Sequence, residues 1–284
     1  MTNNRYIPAL VNKWRRLGPV MAMAMLVSLI IPGKCVAVEL PILLYHRFGP
    51  RVTDSMTVTT EAFEAQLNEL EQKGYHVIPL QQWVDHLVAH VPPPPPRSVV
   101  ITVDDGHRSV YTEMLPIVMR HRIPVTLFIY PSAISNAPYA LTWEQLRELR
   151  ATGLFDIQSH TYWHPNFMRE KRQLSPADYD RLVEMQLTKS KRVLEMRLGT
   201  KVDLLAWPYG LYDRDLEERA RKAGYIAAVT MERRSARDDD DPMAIPRYLI
   251  TGAVSGRAFS TIFPAPKTGE RKNDSSGSVK TRKQ

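Results

Sequence analysis

The chain has 284 residues, 44% of them hydrophobic, which suits one large domain better than two small ones. Its formal net charge of +8 would suit nucleic acid, but the excess of Lys and Arg lies mainly at the two ends of the chain. Because no patterned basic stripe is present, we do not expect a nucleic-acid-binding protein.

The N-terminus has the layout of a secretory signal peptide. Basic residues precede an apolar run over residues 20–31, and the small residues Cys35, Val36 and Ala37 follow. This run is shorter than the roughly 20 residues that span a bilayer. We therefore predict that residues 1–37 are a signal peptide cleaved near Ala37, or else an N-terminal anchor, and that the protein is periplasmic or extracellular. Cleavage would remove the one cysteine, so no disulfide is expected.

Strand-length apolar runs then alternate with helix-length amphipathic stretches, a pattern typical of a largely parallel sheet or barrel. We predict helices capped by Thr60, Thr142 and Ser175. The predicted strands lie near residues 41–46, 98–104, 124–130, 154–160, 202–208 and 225–230, and the predicted helices at 60–73, 108–121, 142–151, 175–198 and 213–223. This alternation predicts a single α/β domain.

The predicted domain covers residues 38–265 and its folded part ends near Phe263. The remaining residues, 266–284, contain six Lys or Arg, two acids and almost no large apolar side chain. Such a composition predicts a disordered basic tail.

Two adjacent carboxylates, Asp104 and Asp105, end the β-branched run of the second predicted strand, and Gly106 follows them. Successive side chains of a strand point in different directions, so the two carboxylates can take different roles, for example one as metal ligand and one free. The alternative is an ordinary turn with a helix cap, since Asp and Gly are common turn residues.

Two histidines, His160 and His164, follow the strand near residues 154–160. Imidazoles four residues apart can bind one ion, as in many zinc sites, although such pairs also occur without a metal. An aspartate from another strand end would complete a three-ligand site with positions left open for water and substrate.

The fragments TVDDG (102–106) and SHTYWHP (159–165) resemble, in this order, the first two motifs of the polysaccharide deacetylase family, the NodB-like group of carbohydrate esterase family 4. The resemblance runs from about Pro41 to Phe263. It implies a distorted (β/α)7 barrel as the single catalytic domain. It also implies Asp105, His160 and His164 as metal ligands and Asp104 as catalytic base.

A third fragment, AWPYG (206–210), resembles the next family motif, Arg-x-Pro-Tyr, with Ala206 at the arginine position. By this match the backbone N–H of Tyr209 binds the oxyanion of the reaction. The partner of Asp104 must then come from elsewhere, and Arg247 in the segment IPRYLI is our candidate, with a surface arginine as the alternative.

The family has a late histidine as general acid, but no histidine follows His164 in this chain. Tyr45-His46 near the start resembles the branch that deacetylates poly-β-1,6-N-acetylglucosamine, in which the early histidine is the acid. This resemblance implies His46 as general acid. Trp163 and Trp207 are candidates for stacking on sugar rings, with core packing as the alternative.

The resemblance therefore implies a hydrolase that removes N-acetyl groups from an N-acetylglucosamine polymer and releases acetate. It needs one divalent metal ion, for which we predict zinc, with cobalt or nickel as alternatives. The expected partners are the acetylated polysaccharide and an exopolysaccharide export machinery. The alternatives are a deacetylase for peptidoglycan or an O-acetylated glycan, and a catalytically impaired glycan-binding or accessory domain.

Overall fold

The computed structural model describes residues 38–254 and 256–263, so the predicted signal peptide (1–37) and basic tail (266–284) lie outside the described residues. No helix within the described ranges combines the length and the apolar character that a membrane crossing requires.

A curled sheet of seven parallel strands forms the centre of the domain. Its strands are β2 (Ile42–Tyr45), β6 (Ser98–Asp104), β7 (Val125–Ile129), β8 (Phe155–Ser159), β9 (Leu204–Ala206), β10 (Ala227–Val229) and β12 (Tyr248–Leu249). Their order across the sheet is β12-β2-β6-β7-β8-β9-β10. A parallel bridge between Val229 and Ile245 links the last strand of this order to the segment that leads into β12. This bridge brings the two edges of the sheet toward each other.

Short strands complete the sheet structure. β5 (His76–Val77) pairs with the amino end of β6, and two separate pairs join β1 (Glu39–Leu40) to β11 (Ala236–Arg237) and β3 (Arg47–Gly49) to β4 (Thr57–Thr59).

The helices are α1 (Thr60–Gln72), α2 (Leu80–Ala89), α3 (Leu115–His121), α4 (Trp143–Ala151), α5 (Phe167–Gln173), α6 (Pro176–Leu198), α7 (Arg214–Lys222) and α8 (Arg257–Ser260). The predicted caps Thr142 and Ser175 are confirmed, since each side chain accepts from the third following backbone N–H. The predicted cap Thr60 is wrong by one residue. Thr59 has the extended backbone of a cap, and its hydroxyl accepts from the N–H of Ala62 at 3.1 Å.

Side-chain alternation along the strands separates two apolar clusters. Leu43 and Ile101 face outward and pack with the surrounding helices, whereas Ile42 and Val100 face the interior of the curled sheet. Helix α2, which was not predicted from the sequence, adds four buried side chains to the interior cluster: Leu80, Trp83, Val84 and Leu87. Because α2 follows β5 at the amino end of β6, it covers that end of the barrel and leaves the carboxyl end for the polar residues.

Candidate active site

The predicted site residues meet at the carboxyl ends of the parallel strands. Asp104 is the last residue of β6, while His46 and His160 directly follow β2 and β8. Side chains alternate in direction along a strand, and by this alternation all three residues point into the barrel, as Ile42 and Val100 do. Strand order thus brings together residues that are far apart in sequence, as in other parallel βα barrels.

Several non-glycine residues at this site have left-handed backbone conformations. The φ angles are 75° at Asp105, 63° at Thr161, 63° at His164 and 59° at Tyr209. Each such residue destabilises the fold by about 1–3 kcal/mol, so this concentration is typical of a functional site. At Asp105 the conformation turns the carboxylate back toward the histidines, although strand alternation alone would direct it outward.

Asp105, His160 and His164 form one compact group, with a ligand atom of each lying within 4.8 Å of the others. The Nε2 atoms of His160 and His164 lie 3.7 and 3.9 Å from Oδ1 of Asp105. Tetrahedral ligands about 2.1 Å from a zinc-like ion are about 3.4 Å apart, so small side-chain movements would allow these three to bind one ion.

Hydrogen bonding prepares His160 as a ligand. Its Nδ1 lies 2.8 Å from the carbonyl oxygen of Ala206 and donates to it, which leaves the lone pair on Nε2 facing Asp105. Burial lowers the pKa of His160 to about 3 and also lowers the pKa of His164, so both imidazoles are neutral at physiological pH, as metal binding requires. The donor set therefore fits a divalent ion of the zinc type.

Asp104 makes a buried, bidentate ion pair with Arg247. The two distances are 2.8 Å from Nη1 to Oδ1 and 2.7 Å from Nη2 to Oδ2, and Arg247 has no exposed surface. Arg247 also donates from Nη1 to the hydroxyl of Thr102 at 3.0 Å and from Nε to the carbonyl of Thr230 at 2.9 Å. The side chain thus reaches Asp104 from inside the barrel, and it does not have the surface position considered as the alternative.

This contact controls the charge of Asp104. Burial by itself would raise the pKa of the carboxyl, but the charge and hydrogen bonds of Arg247 outweigh it and lower the pKa to about 2. Asp104 is therefore ionised at neutral pH. Its Oδ2 lies 3.7 Å from Nε2 of His160. The compact ligand group comprises Asp105, His160 and His164, so Asp104 lies beside this group.

His46 faces the same pair of carboxylates. It is 9% exposed, and its Nδ1 is buried without a hydrogen-bond partner among the described residues. Burial lowers the pKa of His46, while the charges of Asp104 and Asp105 oppose this shift. A buried imidazole nitrogen without a partner is costly in a folded protein, so it is a candidate for contact with substrate.

The third motif places one aromatic residue at the site and one in the core. Tyr209 is 54% exposed, and its ring centre lies 4.5 Å from that of His164. Trp207 is fully buried, and its indole N–H donates to the carbonyl of Met243 at 2.9 Å. The prediction that Trp207 contacts a sugar is therefore wrong, and the core-packing alternative applies.

Trp163 differs from Trp207 because it lies between the two histidines of the second motif and is 46% exposed. Its backbone N–H and that of Tyr162 donate to the side-chain oxygen of Gln186 on α6, at 2.9 and 3.0 Å. This double contact holds the loop that carries His164, and Trp163 remains available to a ligand.

Two aromatic residues at the site, Tyr130 and Tyr139, were not predicted from the sequence. Tyr130 directly follows β7, and its ring centre lies 5.5 Å from that of His164. Its hydroxyl lies 2.6 Å from that of Tyr139. A polar aromatic residue at the end of a parallel strand is the signal that could have identified Tyr130.

Comparison with known proteins identifies a similar family and similar folds. The polysaccharide deacetylase family model matches residues 92–228. The poly-beta-1,6-N-acetyl-D-glucosamine N-deacetylase of Staphylococcus epidermidis is 26% identical over 219 residues, which cover 76% of this chain and 74% of that protein.

Two solved structures have the same fold. IcaB from Ammonifex degensii is 27% identical with a TM-score of 0.68, and the match covers 76% of this chain and 93% of that one. The Streptococcus pyogenes deacetylase PplD in complex with acetate is 22% identical with a TM-score of 0.71, over 80% and 99% of the two chains. These matches confirm the predicted α/β fold of the (β/α)7 deacetylase type. The matched residues, 92–228, therefore belong to a polysaccharide deacetylase domain of the NodB-like, carbohydrate esterase family 4 group, a family of hydrolases.

Proposed function

We propose that this protein is a metal-dependent N-deacetylase that hydrolyses the acetamido groups of an N-acetylglucosamine polymer and releases acetate. The β-1,6-linked polymer is our first candidate, because relatives over about three quarters of the chain carry that name. The observation that carries the proposal is the three-residue ligand group beside an ionised carboxylate, Asp104, that Arg247 holds in place.

The metal would be held by Asp105, His160 and His164, with zinc as our first candidate and cobalt or nickel as alternatives. A divalent ion held there would supply Lewis-acid chemistry, which polarises a carbonyl group and makes water more acidic.

Asp104 would accept the proton of the attacking water. Its ion pair with Arg247 keeps it ionised and fixes its orientation, since a bidentate guanidinium contact holds both carboxylate oxygens. Each oxygen keeps a further lone-pair direction, so the carboxylate can still receive a proton.

Tyr209 would donate its backbone N–H to the oxyanion formed from the acetyl carbonyl. His46 would give a proton to the sugar nitrogen as the C–N bond breaks, so that acetate and a free amine leave the site. The unpartnered Nδ1 of His46 supports its contact with substrate. Burial lowers the pKa of His46, and the charges of Asp104 and Asp105 act against this shift, in favour of the protonated form that an acid needs.

The ion pair also bears on the alternative of an impaired accessory domain. The missing motif arginine was one of its two supports, and Arg247 now makes the contact that an arginine partner of Asp104 should make. The other observation in favour of that alternative is the missing late histidine, whose role as general acid we assign to His46. Secretion of the protein and its association with an export machinery are further proposals, based on residues 1–37 and on the expected polymer.

Metal removal tests the proposed function directly. We expect the purified protein to release acetate from β-1,6-linked N-acetylglucosamine oligomers. Acetate release should stop after treatment with a chelator and should return when zinc, cobalt or nickel is added back. Acetate release from peptidoglycan or from an O-acetylated glycan instead would change the substrate but keep the chemistry. A metal-loaded protein that releases no acetate from any of these glycans would contradict the proposal.

Replacing His46 with Gln tests the general acid. Glutamine has a similar size and can form hydrogen bonds, but it cannot carry the proton, so we expect kcat to fall about 10²–10⁴-fold with metal content unchanged. Steady-state acetate release and metal analysis measure the two quantities. The control is His76→Gln, an exposed histidine at the amino end of the barrel. A kcat for His46→Gln within about threefold of the wild-type value would remove His46 from the mechanism.

A further inference from the structure

A cleft of about 300 Å³ adjoins the ligand group and has no role in the chemistry proposed above. It is lined by Arg47, Asp105, His107, Tyr130 and Tyr139. Its size lies at the lower end of small-molecule sites and suits about one sugar ring. Of the residues assigned to the reaction, only Asp105 is part of its wall, so an occupant of the cleft would lie beside the reacting acetamide.

The cleft has more hydrogen-bond donors than its own residues use. The backbone N–H of Ser109 donates to Nδ1 of His107 at 3.2 Å, and the Ser109 hydroxyl lies 2.8 Å from the same nitrogen. That hydroxyl accepts from the backbone N–H of Phe48 at 2.9 Å, so its own proton is directed to Nδ1. Because Nδ1 accepts, the ring proton of neutral His107 is on Nε2, for which the described residues provide no acceptor.

Two further donors lie in the same wall. Arg47 forms an ion pair with Asp54 through Nη1, while its Nη2 makes no hydrogen bond among residues 38–254 and 256–263. The hydroxyls of Tyr130 and Tyr139, 2.6 Å apart, make one hydrogen bond between them, which leaves one O–H free to donate.

The cleft is also held in shape before any ligand binds. The backbone N–H of Arg108 donates to the carbonyl of Tyr139 at 2.8 Å, and the N–H of Leu141 donates to that of Gly106 at 2.9 Å. The ring of His107 is nearly parallel to that of Tyr139, with centres 6.2 Å apart and an angle of 10°, yet Tyr139 remains 41% exposed. A fixed aromatic ring with exposed surface beside several donors suits the apolar face and the oxygen atoms of a sugar.

The charges of the cleft favour a neutral ligand. The positive charge of Arg47 is balanced by Asp54, and Asp105 adds a carboxylate to the same wall.

We propose that Arg47, His107 and Tyr139 form a subsite that binds the sugar unit next to the one being deacetylated, through its oxygen acceptors. This inference rests on the proposed function, because a polymer places a second sugar within reach of the first.

The test compares Tyr139→Ala and His107→Ala with the control His76→Ala. Binding of a β-1,6-linked N-acetylglucosamine tetramer is measured by calorimetry on chelator-treated protein, so that no turnover occurs. We expect Kd to rise about tenfold in each cleft variant, or about 1.4 kcal/mol, and to stay at the wild-type value in the control. Tyr139→Phe keeps the ring and its packing, so it should show a smaller rise.

The metal-loaded proteins supply a second measurement, kcat/KM for the tetramer and for 4-nitrophenyl acetate, which contains no sugar. We expect the tetramer value to fall about tenfold more than the aryl acetate value in the cleft variants. An equal fall for both substrates, or an unchanged tetramer Kd, would overturn the subsite while leaving the deacetylase reaction in place. A wild-type protein that neither binds nor deacetylates the tetramer would overturn the proposed polymer and the subsite together.

Discussion

Replacing Asp104 with Asn should lower kcat for deacetylation by about 10³-fold or more, because the substitution removes the group that accepts the proton of the attacking water. The three metal ligands are unchanged, so metal content should stay at the wild-type level. Steady-state acetate release and metal analysis of the same preparation measure both quantities. A variant that keeps more than a tenth of wild-type kcat would exclude Asp104 as the base.

The same substitution should also destabilise the protein. Asp104→Asn would leave the guanidinium of Arg247 buried without its counter-charge, and breaking a buried ion pair reduces the free energy of unfolding by about 3–5 kcal/mol. Denaturant unfolding at neutral pH measures this loss. Activity must therefore be compared at a temperature at which both proteins are fully folded.

Replacing Arg247 with Met removes the other partner of the ion pair, and we expect it to reduce stability by a similar amount. Asp104 would remain buried without its cation, so its pKa would rise and the free energy of unfolding would fall by about 3–5 kcal/mol. We expect kcat to fall at least about 100-fold, because the base is then neither fixed in orientation nor held in its ionised form. Arg247→Lys keeps the charge but not the two-pronged contact, so its losses should be intermediate.

A matched surface arginine separates this effect from a general loss of charge. Arg219 pairs with Asp180 and Asp215, but 31% of its side chain is exposed. Arg219→Met should lower the free energy of unfolding by only about 0–1 kcal/mol. Equal losses for the Arg219 and Arg247 variants would contradict the assigned role of the buried pair.

A double-mutant cycle links the two predictions. The combined variant Asp104→Asn, Arg247→Met contains no unpaired buried charge, so its loss of stability should be smaller than the sum of the single losses by about 0.5–3 kcal/mol. Its activity should stay low, since the base is still missing. Simple additivity of the two losses would show that the residues do not act as a pair.

Local sequence signals were sufficient to predict where the strands and most helices lie. Strand β6 covers the predicted residues 98–104, and helix α6 begins after its predicted cap Ser175. Helix α2 was missed, although Leu80, Trp83, Val84 and Leu87 have the spacing of one buried helix face. Its cap is Pro79, which provides no side-chain hydrogen bond, so the usual signal for a helix start is absent.

Local signals could not determine whether an aromatic residue is buried. Trp163 and Trp207 each lie within a family-like motif after a strand, yet Trp163 is 46% exposed and Trp207 is fully buried against Met243. The difference depends on which segments pack over each indole, and those segments come from distant parts of the chain. The same reason explains why the cleft between Tyr139 and Arg47 was not predicted.

By itself, the sequence determined the alternation of strands and helices and the positions of the two aspartates and two histidines after strands. Its short motifs also carried the family resemblance from which the roles of these residues were predicted. These features are local, because they depend on side-chain periodicity and short motifs. Only the tertiary structure decided that Arg247 meets Asp104, that Asp105 turns back toward the histidines, and that Nδ1 of His46 has no partner in the described part of the chain. Such contacts join residues up to 143 positions apart, and strand order and burial, rather than neighbouring residues, bring them together.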